Sequence, residues 1–265
     1  MFTKRNKTNV CVSPFSCQRD RLTLLGNEYR GEGNNLPIAI ISHGFMANQR
    51  TVKHYAMLLA ELGYCSFTFD FNGGCVIMGK SDGKTTDMSV LTEVADLNAV
   101  IDYAVSLPYV DNDNILLMGC SQGGFVSALT AAKRKDQIKS LVLFYPALCI
   151  PDDARAGKMI FAKFDPHNLP DRINCGPMKL GRCYVADVLE MDPFEEIKGF
   201  TGDVLLAHGT KDKIVELDYA KKAVDCYPAD KQTFRIIDGG GHMFSKKHDV
   251  VAMDELRKFR SSHKN

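Results

Sequence analysis

Short apolar runs alternate with longer amphipathic segments along most of the chain, and this rhythm predicts the elements. Leu36 to Ser42 reads as a buried strand, and 48–62 as a helix that Gly63 ends. Tyr64 to Phe69 is the next strand, 90–107 a helix stopped by Pro108, and Ile115 to Met118 a strand running straight into Gly119. A helix over 122–135 and a strand from Ser140 to Tyr145 follow. Past residue 200 come strand 203–208, helix 215–227, strand 232–237 and helix 246–261. Ahead of all these, residues 8–16 and 21–30 read as a hairpin around Gln18-Arg19-Asp20. Strands apolar on both faces and separated by helices predict an α/β fold, a mostly parallel central sheet flanked by helices. Sites in such sheets lie beyond the carboxyl ends of the strands.

The interval 147–200 breaks the rhythm. It holds five prolines (Pro151, Pro166, Pro170, Pro177 and Pro193), scattered charge, and the aromatic residues Phe161, Phe164 and Tyr184. An irregular stretch of that length inside a compact domain is more often functional than a passive connection. It reads as an inserted lid, within one domain spanning 1–265.

Composition narrows the function classes. The 265 residues are 45% hydrophobic and 25% charged, as in ordinary globular proteins. A net charge of +1 provides no field to draw nucleic acid or an anionic membrane surface. The basic start, Lys4-Arg5-Asn6-Lys7, reads as a solvated tail. No apolar run reaches the ~18 residues of a membrane span. After Met1-Phe2 the chain turns polar, so no signal peptide is expected and the cytoplasm is the expected location. Nine cysteines, an odd count with no export signal, read as free thiols. None stands at zinc spacing, so neither a metal nor another cofactor is expected.

The chemistry gathers at three points. Gly119-Cys120-Ser121-Gln122-Gly123 is a G-x-S-x-G sequence between a predicted strand and a predicted helix, the context of a nucleophile elbow. A serine hydroxyl needs a base to take its proton. Asp212 follows the strand 203–208, and His242 follows the last strand within Asp238-Gly239-Gly240-Gly241-His242. That gives the order Ser121, Asp212, His242: nucleophile, orienter, base. The plainer readings are a helix N-cap for Asp212 and a surface loop histidine for His242. Backbone N–H groups of Gln122 and of Phe45, in Ser42-His43-Gly44-Phe45 at a strand end, are the expected oxyanion donors. His43 is a rival base but reads as a loop anchor. Cys120 should point into the sheet packing, and His208 should lie under the Asp212 loop. The glycine-rich stretch 70–83 matches no phosphate-binding pattern and reads as a site wall.

These motifs, from about residue 20 onward, resemble the α/β-hydrolase superfamily. A narrower likeness rests on the Ser-Gln-Gly-Gly elbow, the His-Gly-Phe loop and three stretches of the insertion: Asp165-Pro166-His167-Asn168-Leu169-Pro170-Asp171-Arg172, Leu180-Gly181-Arg182-Cys183-Tyr184 and Pro193-Phe194-Glu195. They resemble bacterial cinnamoyl (feruloyl) esterases, whose lid holds the aromatic acyl group. The resemblance implies a serine carboxylic ester hydrolase acting through an acyl-enzyme on hydroxycinnamate esters. It also implies that Asp153 and Tyr184 approach the phenolic hydroxyl. Two departures are visible: Cys120 stands where histidine is common, and Gly157-Lys158-Met159-Ile160 is more apolar than a phenol contact calls for. The expected partner is a small-molecule ester, with a homodimer allowed. The rival readings are an acyl-peptidase or thioesterase on the same triad, or a non-catalytic ligand-binding module.

Overall fold

The computed structural model describes residues 9–76 and 79–262; the basic start at 4–7 lies outside them. The first elements in chain order are β1 (Cys11–Arg19), β2 (Leu22–Arg30), β3 (Leu36–Ser42), α1 (Lys53–Glu61), β4 (Cys65–Phe69) and α2 (Val90–Val105). Then come β5 (Val110–Cys120), α3 (Gln122–Lys133) and β6 (Ile138–Phe144). The chain closes with β11 (Asp203–Gly209), α7 (Leu217–Val224), β12 (Gln232–Ile237) and α8 (Lys246–Ser262). Between β6 and β11 lie α4 (Ile150–Arg155), the hairpin β7 (Lys158–Met159) and β8 (Ala162–Lys163), a second hairpin β9 (Arg172–Cys175) and β10 (Met178–Gly181), then α5 (Arg182–Ala186) and α6 (Pro193–Ile197).

Eight strands form the main sheet in the order β1-β2-β4-β3-β5-β6-β11-β12. The β1–β2 and β2–β4 pairs are antiparallel, and the others are parallel. Alternate residues feed opposite layers, as the two-residue strand period requires. Ile38 and Ile40 of β3, with Ile115 and Leu117 of β5, face the layer of α2, α3 and α7. Ala39, Ile41, Leu116 and Met118 face α1 and α8. Chain order reverses direction across β3, so the carboxyl ends of β3 and β5 sit at a switch point.

Strands β3 and β12 have the bounds that their apolar patterns predict. The helix expected over 48–62 divides into a 3₁₀ turn at Gln49–Thr51 and α1. The Gln49 amide is drawn off to the Asp70 carboxylate at 2.8 Å. Strand β5 starts at Val110, well before Ile115, because Val110 and Asp111 pair with Leu36 and Pro37 across a register shift. The insertion contains two hairpins where no regular element was expected. It is tied to the segment before α2: Thr85 Oγ1 donates to the Lys179 carbonyl (2.5 Å), and Ser89 Oγ to Asp187 (2.5 Å).

At the sheet edge Phe15 lies opposite Gly26 and packs edge-on to Phe67, ring centroids 5.5 Å apart. A Cβ at Gly26 would stand 2.3 Å from the Thr68 carbonyl oxygen and 2.4 Å from the Phe15 ring. We expect Gly26→Ala to cost about 2–3 kcal/mol by overpacking. Urea denaturation should show a lower midpoint at unchanged slope.

Candidate active site

Ser121 joins β5 to α3 with φ 55° and ψ −123°, a conformation that costs a non-glycine residue roughly 1–3 kcal/mol. Its neighbours hold it there. The Ser121 amide donates to the Phe144 carbonyl (3.0 Å), and the Ser121 carbonyl accepts from Gly124, Phe125 and Ala147 at 2.9, 3.2 and 2.9 Å. The bend brings the strand end against the helix start. A Cβ at Gly119 would lie 2.1 Å from the Gly123 carbonyl oxygen, and one at Gly123 would lie 2.3 Å from that of His43. Only glycine fits at either position.

The three sequence-predicted side chains meet above this bend. Ser121 Oγ is 2.9 Å from His242 Nε2, and His242 Nδ1 is 2.8 Å from Asp212 Oδ2. The other Asp212 oxygen accepts the amides of Ile214 and Val215 at 2.9 and 3.0 Å. Burial raises the Asp212 pKa, but the hydrogen bonds from His242 and those amides outweigh it, leaving the carboxyl below its ordinary value. Asp212 is not the cap of α7, a position held by Glu216. The loops carrying Asp212 and His242 are laced together, with the Lys211 amide donating to Gly240 (2.8 Å) and that of Gly239 to Thr210 Oγ1 (2.8 Å). Tyr145 packs edge-on to the His242 ring at 4.9 Å.

The rival residues have other partners. His43 is buried, with Nδ1 2.9 Å from the Gly44 carbonyl and Nε2 accepting the Phe71 amide at 3.2 Å. Burial lowers its pKa, so it sits neutral and pins the loop. His208 donates from Nε2 to the Val215 carbonyl (2.9 Å) beneath Asp212. The Cys120 thiol is buried and pushed up to about 12, chiefly by that burial. His43, Asp70 and Cys75 place ligand-type atoms within 4.8 Å of one another. However, His43 Nε2 already serves Phe71, and the Asp70 oxygens already accept the Gln49 and Lys80 amides. All nine cysteines are free.

The Gly44 backbone packs so closely on Ser121 that a Cβ there would lie 3.0 Å from Ser121 Cβ, which brings the Phe45 loop over the serine. Gln122 opens α3, where amides have no intrahelical acceptor. Its side chain is gripped from two directions. Tyr184 of α5 donates its hydroxyl to Oε1 (2.5 Å), and Nε2 donates to Glu93 of α2 (2.8 Å). Sequence reasoning missed this chain. Tyr184 is fully buried and lines the site, and its hydroxyl is hydrogen-bonded to Gln122. Asp153 lines the same region and lies 3.2 Å from Lys158.

Among the described residues, two cavities open from Ser121. A cavity of about 310 Å³ runs between α1 and α8, past Tyr55, Tyr145, His242, Phe244 and Asp249. A second, of about 30 Å³, lies beneath the insertion against Cys149, Asp153, Met159 and Tyr184. Ile160 and Ile214 border both.

A family model described as Hydrolase_4, serine aminopeptidase S33, matches residues 34–175, slightly more than half of the chain. The chain belongs to this family. As a Hydrolase_4 member it has the α/β-hydrolase fold. It is similar to Est1E from Butyrivibrio proteoclasticus solved with ferulic acid bound: TM-score 0.83, 28% identity, covering 94% of this chain and 99% of that one. Rat monoglyceride lipase is 23% identical over 278 residues, covering 94% of this chain and 89% of that protein. An uncharacterized 31.7 kDa Escherichia coli protein is 31% identical over 113 residues, 42% of this chain. The chain spans only 32% to 43% of the length of the Escherichia coli relatives it matches. Among the described residues, no helix is long and apolar enough to cross a membrane.

Two outcomes test the Gln122 chain. Tyr184→Phe leaves a buried acceptor unpaired and should cost about 1–3 kcal/mol in urea denaturation. Burial, reinforced by Asp96, raises the Glu93 pKa well above its ordinary value despite the Gln122 hydrogen bond. A raised folded pKa gives stability that is complete below the unfolded value and lost as pH rises through the folded one. Glu93→Gln should therefore gain on wild type as pH is raised from 5 to 9; a stability difference independent of pH would contradict this.

Proposed function

We propose that the protein is a serine carboxylic ester hydrolase working through an acyl-enzyme. The reading is carried by the continuous line from Ser121 Oγ through His242 to Asp212. Ser121 Oγ attacks the ester carbonyl as His242 Nε2 takes its proton, and Asp212 holds the imidazole tautomer and steadies the imidazolium. The amides of Phe45 and Gln122 receive the developing oxyanion, each donor being worth about 10²–10³ in rate. His242 then protonates the departing alcohol and afterwards deprotonates the water that frees the acid. No step asks for a cofactor.

For the acyl group we propose hydroxycinnamate and related aromatic acids. The similarity to Est1E, solved with ferulic acid bound, supports this, as does the insertion's position over Ser121. The 30 Å³ cavity has room for about two waters, so an aromatic acid enters only as the β7–β8 hairpin moves aside. Its tip suits that motion: Ile160 is 48% exposed and Phe161 69% exposed. Asp153 is then the group that meets the phenol, and the insertion serves as a lid.

Wild-type protein should hydrolyse methyl ferulate and p-nitrophenyl butyrate and be labelled by a fluorophosphonate. Ser121→Ala should lose both, with kcat down roughly 10⁶-fold and circular dichroism unchanged. Near-normal turnover by that variant would remove the assignment. Acyl-thioester and aminoacyl substrates in the same panel test the thioesterase and peptidase alternatives.

A further inference from the structure

The wall of the larger cavity carries polar groups that the triad does not use. Asp249, on the first turns of α8, accepts the Tyr55 hydroxyl of α1 on Oδ1. Its Oδ2 lies 3.2 Å from His54 Nε2, and the carboxylate is only 23% exposed. The His54 contact is at ion-pair distance but off the hydrogen-bond line, so a buried N–H in the wall lacks an aligned acceptor. Burial pushes the Asp249 pKa up, but His54 and Tyr55 outweigh it and keep the group ionised. A carboxylate has about four acceptor directions, and the Tyr55 hydroxyl takes one of them. Thr51 and Lys246 are the other polar side chains of the wall outside the triad and this cluster, and much of the remainder, including Val52, Tyr145, Met243 and Phe244, is apolar or aromatic.

The side of the reacting ester that faces this cavity follows from the histidine. His242 hands its proton to the leaving oxygen, so the departing alcohol lies on its side of the carbonyl. His242, Met243 and Phe244 all line the larger cavity, and none of them lines the smaller one. Building on the ester-hydrolase reading, we propose that the 310 Å³ cavity is the leaving-alcohol subsite. Its Asp249–Tyr55–His54 cluster selects alcohols with an apolar body and a distal hydroxyl. Such a hydroxyl donates to a remaining acceptor direction of the Asp249 carboxylate and accepts from His54 Nε2–H, which has no aligned acceptor.

The test holds the acyl group constant and small. Acetates of the 1,n-diols, n = 4–8, are compared with n-alkyl acetates of matching length. At one or two lengths the hydroxylated ester should show about tenfold higher kcat/KM, the factor expected of one added hydrogen bond to a charged group. Because Asp249 also clamps α1 to α8, the diagnostic readout is the ratio within each pair, which general damage does not move. That ratio should fall toward one in Asp249→Ala and persist in Tyr55→Phe, where the carboxylate is freed. Equal kcat/KM across the wild-type ladder overturns the subsite while leaving the ester reading intact. So does a preference seen only when the hydroxyl is moved to the acyl group, as in ethyl ω-hydroxyalkanoates. Failure of wild-type protein to turn over any acetate or p-nitrophenyl ester overturns the ester reading and the subsite with it.

Discussion

The carbonyl oxygen of Ser121 gathers three backbone N–H groups, from Gly124, Phe125 and Ala147, and this knot sets where everything else in the site must be. Ala147 comes just after Tyr145-Pro146, where the chain leaves β6, so the end of that strand and the entrance to the insertion are fastened to the bend itself. A residue held at φ 55° persists only if its surroundings over-determine it, and here helix, strand and insertion each supply part of the restraint. The loops bearing Asp212 and His242 approach from the next strands along, already bound to each other through Gly240.

Gln122 carries this restraint outward. Its amide belongs to the bend, while its side chain is shared between Tyr184 of the insertion and Glu93 of α2. Displacement of α5 would therefore disturb the helix start beside Ser121. The β7–β8 tip is different in kind: Ile160 and Phe161 are exposed, while Met159 and Ala162 beside them are buried. One insertion thus combines a buried anchor at Tyr184 with an exposed tip at Ile160 and Phe161.

Much of this was legible in the sequence because local rules and tertiary needs agree. Strands β3 and β12 were readable to the residue from their apolar pattern and flanking turns. Ser121, Asp212 and His242 were readable because each follows a strand, in the order that a parallel sheet converts into proximity. The polar run at 111–114 hid the first half of β5, whose pairing with β3 is a backbone matter that side chains do not advertise. The hairpins of the insertion lacked a clear two-residue alternation. Tyr184 was visible as a site residue, but not that its hydroxyl would turn inward to Gln122. The Tyr55–Asp249 contact joins residues 194 apart, and neither position carries a local signature.

At the far end of the sheet, among the described residues, β1 has a neighbour on one side only, and Pro14 sits within it. Proline is tolerated in such a strand where its missing donor faces away from the partner. The outer row of amides is therefore interrupted. A copy of the chain trying to lay a ninth strand there would find the ladder broken part-way, so the same residue that ends the sheet also protects the protein from templating its own aggregation.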